Sequence, residues 1–184
     1  MGRVIIFPTD TVYGIGTKIF DLEGIERIYK IKNRPKSKPL ACLCYDINQI
    51  ESIANLTENA KKLANNFLPG GLTLVVESKP EVYQKIGYKT IGVRIPNSKI
   101  ALSILKENGP MLTTSVNDSG MVPLNEYHDI YYKYHDIVDF IYDTDRVSTN
   151  VPSTVISFND QDEVVLLREG DIKLSDLNNC LYSK

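Results

Sequence analysis

Short runs of β-branched and apolar residues recur along the whole chain, broken by stretches of helical period, and the two kinds do not alternate strictly. Val4 to Phe7, Leu40 to Tyr45, Leu72 to Val76, Ile91 to Ile95 and Met111 to Thr114 each read as a strand. Thr154 to Ile156 and Val164 to Leu167 flank the polar stretch Asn159-Asp160-Gln161-Asp162, which predicts a hairpin. Asp21 caps a predicted helix whose apolar side is Leu22, Ile25, Ile28 and Ile31, and Pro35 closes it. Thr57 and Glu58 open a second helix carrying Ala60, Leu63, Ala64 and Phe67, which stops at Pro69-Gly70-Gly71. A third is expected from about Ser98 to Lys106. Tyr127-His128-Asp129-Ile130 returns seven residues later as Tyr134-His135-Asp136-Ile137, which predicts an amphipathic helix leading into a strand over Val138 to Tyr142. Regular βαβ alternation would mean a doubly wound parallel sheet. This order predicts instead an α/β fold with helices packed on a twisted, mixed sheet.

With 184 residues, 42% hydrophobic and 24% charged, and no break in composition, one domain over residues 1–184 is expected. No segment approaches the roughly 20 apolar residues of a membrane span. Pro8 stops the first apolar run too early for a secretory signal. Three cysteines argue against a disulfide framework and for a cytoplasmic protein. Cys42, Cys44 and Cys180 are too few for a zinc cage, and the two histidines read as helix surface, so no protein metal site is expected. A net charge of −2 gives the whole molecule no pull on nucleic acid, so any basic surface must be local.

That surface is Lys32-Asn33-Arg34-Pro35-Lys36-Ser37-Lys38-Pro39. Cations at a helix C-terminus complement its dipole, but two prolines also fix where these side chains point. Arg34 can fork across two phosphate oxygens, with Lys32 and Lys38 as point charges. Thr113-Thr114-Ser115-Val116-Asn117 supplies small hydrogen-bonders where a strand runs out. Arg94 and Arg168 sit in apolar strands, and each needs an internal carboxylate or a bound anion. Pro8-Thr9-Asp10-Thr11-Val12-Tyr13-Gly14 adds hydroxyls and a carboxylate after the first strand. The usual nucleotide signatures are missing: there is no GxxxxGK[ST] loop, and Gly14-Ile15-Gly16 lacks the third glycine of the dinucleotide fingerprint. A polyphosphate held by cations and neutral donors at strand ends remains, which points to a nucleotide-using enzyme.

Seven segments resemble the threonylcarbamoyl-AMP synthase family, the YrdC/TsaC-like proteins, in order and approximate spacing: PTDTVYG at 8–14, KNRPKSKPL at 32–40, PGGLTLV at 69–75, IGVRIP at 91–96, TTSVN at 113–117, PSTVI at 152–156 and LREG at 167–170. The resemblance implies a YrdC-like open sheet with a cationic concave cleft, of the short single-domain type. It implies a nucleotidyltransferase that makes threonylcarbamoyl-adenylate and pyrophosphate from L-threonine, bicarbonate and ATP, with Mg2+ on the ATP. The product would pass to a tRNA-threonylcarbamoyl transferase complex. By the same resemblance, Lys32, Arg34 and Lys38 would face the ATP phosphates, with Lys32 and Arg34 catalytic. Thr90, Ser115, Asn117 and Arg168 would help hold the nucleotide, and Thr11, Arg94, Thr113 and Ser153 the threonine, with Arg94 on its carboxylate. Departures from the family pattern are Gly71, Val116, Leu43 for a polar residue near threonine, Pro123 for a nucleotide-contacting serine, and Asp143-Thr144-Asp145 for Asp-Gly-Gly. The alternative is a module that binds double-stranded RNA through the basic cleft without catalysis.

Overall fold

The structure, a computed structural model, describes residues 2–143 and 149–182. Among the described residues the elements run β1 (Ile5–Phe7), β2 (Gly14–Lys18), α1 (Leu22–Ile31), β3 (Ala41–Leu43), α2 (Ile47–Ile53), β4 (Ala54–Asn55), α3 (Glu58–Phe67), β5 (Leu72–Ser78), α4 (Pro80–Ile86), β6 (Thr90–Arg94), α5 (Lys99–Asn108), β7 (Met111–Ser115), α6 (Tyr127–Tyr134), β8 (Phe140–Ile141), β9 (Thr154–Phe158), β10 (Val164–Arg168) and α7 (Leu174–Tyr182). All the strands join one sheet in the order β10-β9-β5-β6-β3-β7-β2-β1-β8, with β4 pairing β5 off this path. The pairs β1/β8, β3/β6 and β5/β9 are parallel. The others are antiparallel, so the mixed sheet expected from the irregular element order is present.

The helices start where capping chemistry allows. Asp21 accepts from the Gly24 amide, Thr57 from Ala60 and Ser98 from Ala101, each satisfying an N–H that the first helical turn leaves unpaired. The apolar sides of α1, α2, α3, α4 and α7 meet one face of the sheet. Leu72, Leu74 and Val76 of β5 pack with Ile28 of α1, Ile50 of α2, Leu63 of α3, Val82 of α4 and Leu177 of α7 in one buried cluster. Side chains alternate along a strand, so Thr73, Val75 and Glu77 turn to the opposite face. Slipping β5 by one residue would exchange three buried aliphatics for these, at a cost on the order of 5 kcal/mol. Register is thereby set.

The opposite face is treated differently along its width. At one corner α5 covers it: Ala101, Ile104 and Leu105 pack on Ile5, Phe7, Leu43 and Met111. Across β7, β3, β6, β5 and β9 that face instead carries Thr113, Ala41, Gly92, Thr73 and Val155 around a cavity. Small and hydroxylated side chains line what would otherwise be a second core.

Several expectations are corrected here. The glycines at 14 and 16 are part of strand β2, hidden by their weak strand propensity. Helices α2, α4 and α7 were not foreseen; the first two span only two turns, too short for a clear period. The repeated Tyr-His-Asp-Ile does not make one long helix: α6 ends at Tyr134, the first residue of the second copy, and His135 to Ile137 lie in the turns that follow. The strand expected over Val138 to Tyr142 shrinks to Phe140–Ile141. The β9–β10 hairpin forms as expected; Asp162 takes a left-handed φ of 59°, and Asn159 donates its amide to Glu163 O.

Candidate active site on the uncovered face of the sheet

A cavity of about 350 Å³ opens on this second face. Eight of the eleven residues expected at a site line it: Thr11, Arg34, Thr90, Arg94, Thr113, Ser115, Ser153 and Arg168. Lys32, Lys38 and Asn117 do not. The candidate residues were expected at strand ends; in the structure the cavity lining spreads over the pleated face itself. The register explains the two glycines. Gly14 lies opposite Ser115 and Gly16 opposite Thr113. A Cβ on Gly14 would come within 2.6 Å of Thr113 Cγ2, and one on Gly16 within 2.8 Å of Thr113 Oγ1. Both are glycine because Thr113 occupies the space above them.

Arg94 ends β6 and is 5% exposed. Its Nη2 donates to Asp10 Oδ1 at 2.6 Å, Nη1 to Thr11 Oγ1 at 2.7 Å and Nε to Gly70 O at 2.8 Å. The same Asp10 oxygen accepts from the Asn97 amide at 3.0 Å. Burial presses the guanidinium below the ordinary arginine range, Asp10 opposes this, and Arg168 adds to it. The internal-carboxylate answer raised by the sequence is therefore the one the structure gives for Arg94. Three of its five N–H donors are used, leaving two for a ligand. Hydroxyl protons next to it are ordered as well: Thr9 donates to Val12 O at 2.7 Å, so in the 3.1 Å Thr9–Thr11 contact Thr11 must be the donor.

Arg168 reaches Ser153 O with Nε at 3.1 Å and Nη2 at 2.8 Å, and Ser153 Oγ with Nη2 at 3.2 Å. Glu169, suggested by the sequence as its partner, instead pairs with Lys173 at 2.8 Å. Thr73 of β5 and Ser153, the residue before β9, share a hydrogen bond of 2.8 Å. Arg34 folds its own loop closed, donating from Nε to Lys38 O at 2.8 Å and from Nη2 to Pro39 O at 2.9 Å. It still lines the cavity. The Lys38 side chain is exposed outside the lining, so its direct phosphate contact is not what this arrangement offers.

Lys32 also departs from expectation. It is 1% exposed, and its ammonium donates to Ser115 O, to Asn117 O at 2.7 Å and to Asn117 Oδ1 at 2.7 Å. An ammonium has three donors, and all are taken. Burial draws it down to about 8, Arg34 pushes the same way, and Asp118 opposes. In this arrangement the lysine faces inward, towards Ser115 and Asn117, rather than into the cavity.

Thr73 and Ala41 also line the cavity and were not singled out, while Thr9, Tyr13 and Pro39 were named only as parts of their segments. Alternation along β3 from Leu43 would have found Ala41, whereas β5 held no expected site residue from which to reach Thr73. Among the described residues the buried Tyr13 hydroxyl has no hydrogen-bond partner, and burial raises it to about 12. Leu43 contributes an apolar wall where a polar residue was the family pattern. Val116 is fully buried. A Cβ on Gly71 would make only an ordinary 3.8 Å contact with Thr11, so space does not require glycine there. Thr144 and Asp145, of the Asp-Thr-Asp departure, lie outside the described residues.

A profile of the Sua5/YciO/YrdC family, described as "Telomere recombination", matches residues 1–170. Threonylcarbamoyl-AMP synthase of Bacillus subtilis is 34% identical over 175 residues, 92% of this chain and 50% of the relative. The Pyrococcus abyssi synthase is 33% identical over 185 residues, 98% of this chain and 54% of the relative. The crystal structure of P. abyssi Sua5 complexed with L-threonine superposes with a TM-score of 0.89 at 32% identity, covering 98% of this chain and 54% of that one. The chain therefore spans about half the length of these two synthases. Escherichia coli YciO, whose function is uncharacterised, is 33% identical with 86% of its length covered. Its structure gives a TM-score of 0.85 over 96% of this chain and 87% of that one. The chain belongs to the Sua5/YciO/YrdC family.

Proposed function

We propose that the protein is a threonylcarbamoyl-AMP synthase, an adenylate-forming nucleotidyltransferase. The observation that carries this is convergence: Arg34, Arg94, Ser115 and Arg168, from four distant stretches of sequence, line one cavity. The names of the two synthases, and the threonine held by Sua5, support the reading. In it the threonine amine adds to the carbon of bicarbonate, a C–O bond breaks and water leaves, and an oxygen of the resulting carbamate attacks the α-phosphorus of ATP. The bond to the pyrophosphate oxygen breaks, and pyrophosphate leaves with the electron pair. The substrate supplies its own nucleophile, so the protein needs only to align the groups and stabilise spreading negative charge.

Arg34 is the cation for the phosphates, since three of its N–H donors are not used on its own loop. Arg168, Thr90 and Ser115 hold the nucleotide, and Thr11, Thr113 and Ser153 the threonine. Arg94 presents its two remaining donors to the threonine carboxylate while Asp10 keeps it in place. Among the described residues no group of three or more His, Cys, Asp or Glu could hold an ion. Mg2+ carried on the ATP phosphates rather than in a protein cage belongs to the same proposal. A cytoplasmic setting and transfer of the product to tRNA by a downstream complex belong to the same proposal. The RNA-binding alternative is not favoured, because the cavity arginines are bonded inward around a pocket rather than spread along a groove.

The purified protein tests this. Pyrophosphate release from ATP should require both L-threonine and bicarbonate, and dropping either should reduce it to background. Release indifferent to threonine, or none with all three present, would overturn the assignment.

A further inference from the structure

Lys32 and Asn117 are withdrawn from the cavity wall, yet both are tied to Ser115, which lines it. The proton positions in this cluster follow from which groups can donate. Lysine can only donate, so the Asn117 side-chain atom 2.7 Å from its ammonium must be the oxygen. The Asn117 nitrogen then points to Met121 O, to which it donates. The same Asn117 oxygen lies 2.8 Å from Ser115 Oγ, and since it can only accept, the serine must give its single proton there. Ser115 Oγ is left with lone pairs alone for the cavity.

We infer that Lys32 is a positioning residue that acts through Asn117 to make the Ser115 hydroxyl a hydrogen-bond acceptor toward the cavity. The group Ser115 recognises is then a donor, such as a ribose hydroxyl, an amino group or a metal-bound water, and not a bare phosphate oxygen. Further contacts stiffen the cluster. The Ser119 amide donates to Lys32 O at 3.1 Å, the Leu124 amide to Val116 O at 2.8 Å, and Lys133 pairs with Asp118 at 2.9 Å. Breaking the lysine bonds would strand two backbone carbonyls and free the Asn117 amide to flip, and the serine proton with it. The inference rests on the synthase reading only for the choice of nucleotide.

ATP affinity measured by calorimetry on the wild type, Lys32→Met, Ser115→Ala and the double variant gives the test. Each single change should weaken ATP binding about tenfold, the scale of one hydrogen bond to a ligand. The double variant should be no more than about twofold worse than the weaker single, because the two act as one unit. Losses that multiply would mean Lys32 touches ATP itself and would overturn the inference. Wild-type protein with 15N-labelled lysine keeps the idea testable should Lys32→Met not fold. Its Lys32 ammonium should exchange slowly with water and keep its resonance when ATP is added. Exchange as fast as that of surface lysines, or a large shift on ATP addition, would also overturn it. The two readings fail separately: a coupled cycle without threonine-dependent pyrophosphate sinks the synthase, whereas pyrophosphate release with multiplying losses sinks only the role given to Lys32.

Discussion

Replacing Asp10 by alanine tests how the buried arginine is held. Asp10 is the only carboxylate paired with the Arg94 guanidinium among the described residues, with Oδ1 at 2.6 Å, and that oxygen also receives the Asn97 amide. Removing it leaves a 5% exposed cation with no counter-charge, while burial already works against its charged form. Breaking a buried pair costs about 3–5 kcal/mol. Asp10 keeps a 19% exposed side chain, so water can partly replace it, and the lower end applies: about 3 kcal/mol. For a protein of this size that lowers Tm by about 6–12 °C. Asp10→Asn keeps an acceptor oxygen for Arg94 and Asn97 and should recover about half the loss. Thermal denaturation of the three proteins at neutral pH reads both effects. A Tm within about 2 °C of wild type for Asp10→Ala would show that Arg94 does not depend on this carboxylate, and the reasoning would fail.

Arg34→Ala should lower pyrophosphate release by about 100-fold or more, the usual loss on removing one electrostatic stabiliser; wild-type release would exclude it from phosphate contact. Gly14→Ala should cost about 1–3 kcal/mol through the clash with Thr113 Cγ2, and Thr113→Ser, which removes that methyl, should restore most of it in denaturant melts. The Lys32 ammonium titrates near 8 when folded, against 10.5 ordinarily, so between these values the unfolded chain binds more protons and stability rises with pH. Relative to Lys32→Met, the wild type should gain about 3 kcal/mol across that window, at 1.36 kcal/mol per unit. Its turnover should fall over the same rise, because a neutral amine has two donors for three acceptors.

Much of the sheet was legible because β-branched runs such as Leu72–Val76 and Ile91–Ile95 announce buried strands, and Asp21, Thr57 and Ser98 announce helix starts. Strand β2 was not, since Gly-Ile-Gly-Thr-Lys has poor strand propensity and its glycines answer to Thr113, about a hundred residues away in sequence but on the neighbouring strand of the sheet. At the site, the arginines and hydroxyls that meet in the cavity carried a readable signal: Arg94 and Arg168 interrupt apolar strands, and buried charge demands a partner. Lys32 shows the limit. A lysine beside a proline-rich loop reads as a free cation, and only its contacts with Ser115 and Asn117, some 83 and 85 positions on, turn it inward. Leu43, likewise, could be seen to differ from its relatives, but not that its other neighbours belong to the α5 core.

A crystal structure with a non-hydrolysable ATP analogue and L-threonine bears most directly on whether one pocket serves both substrates. The account predicts both molecules on the uncovered sheet face, phosphates at Arg34 and amino-acid carboxylate at Arg94. Nucleotide bound elsewhere on the surface, with this cavity empty, would contradict it.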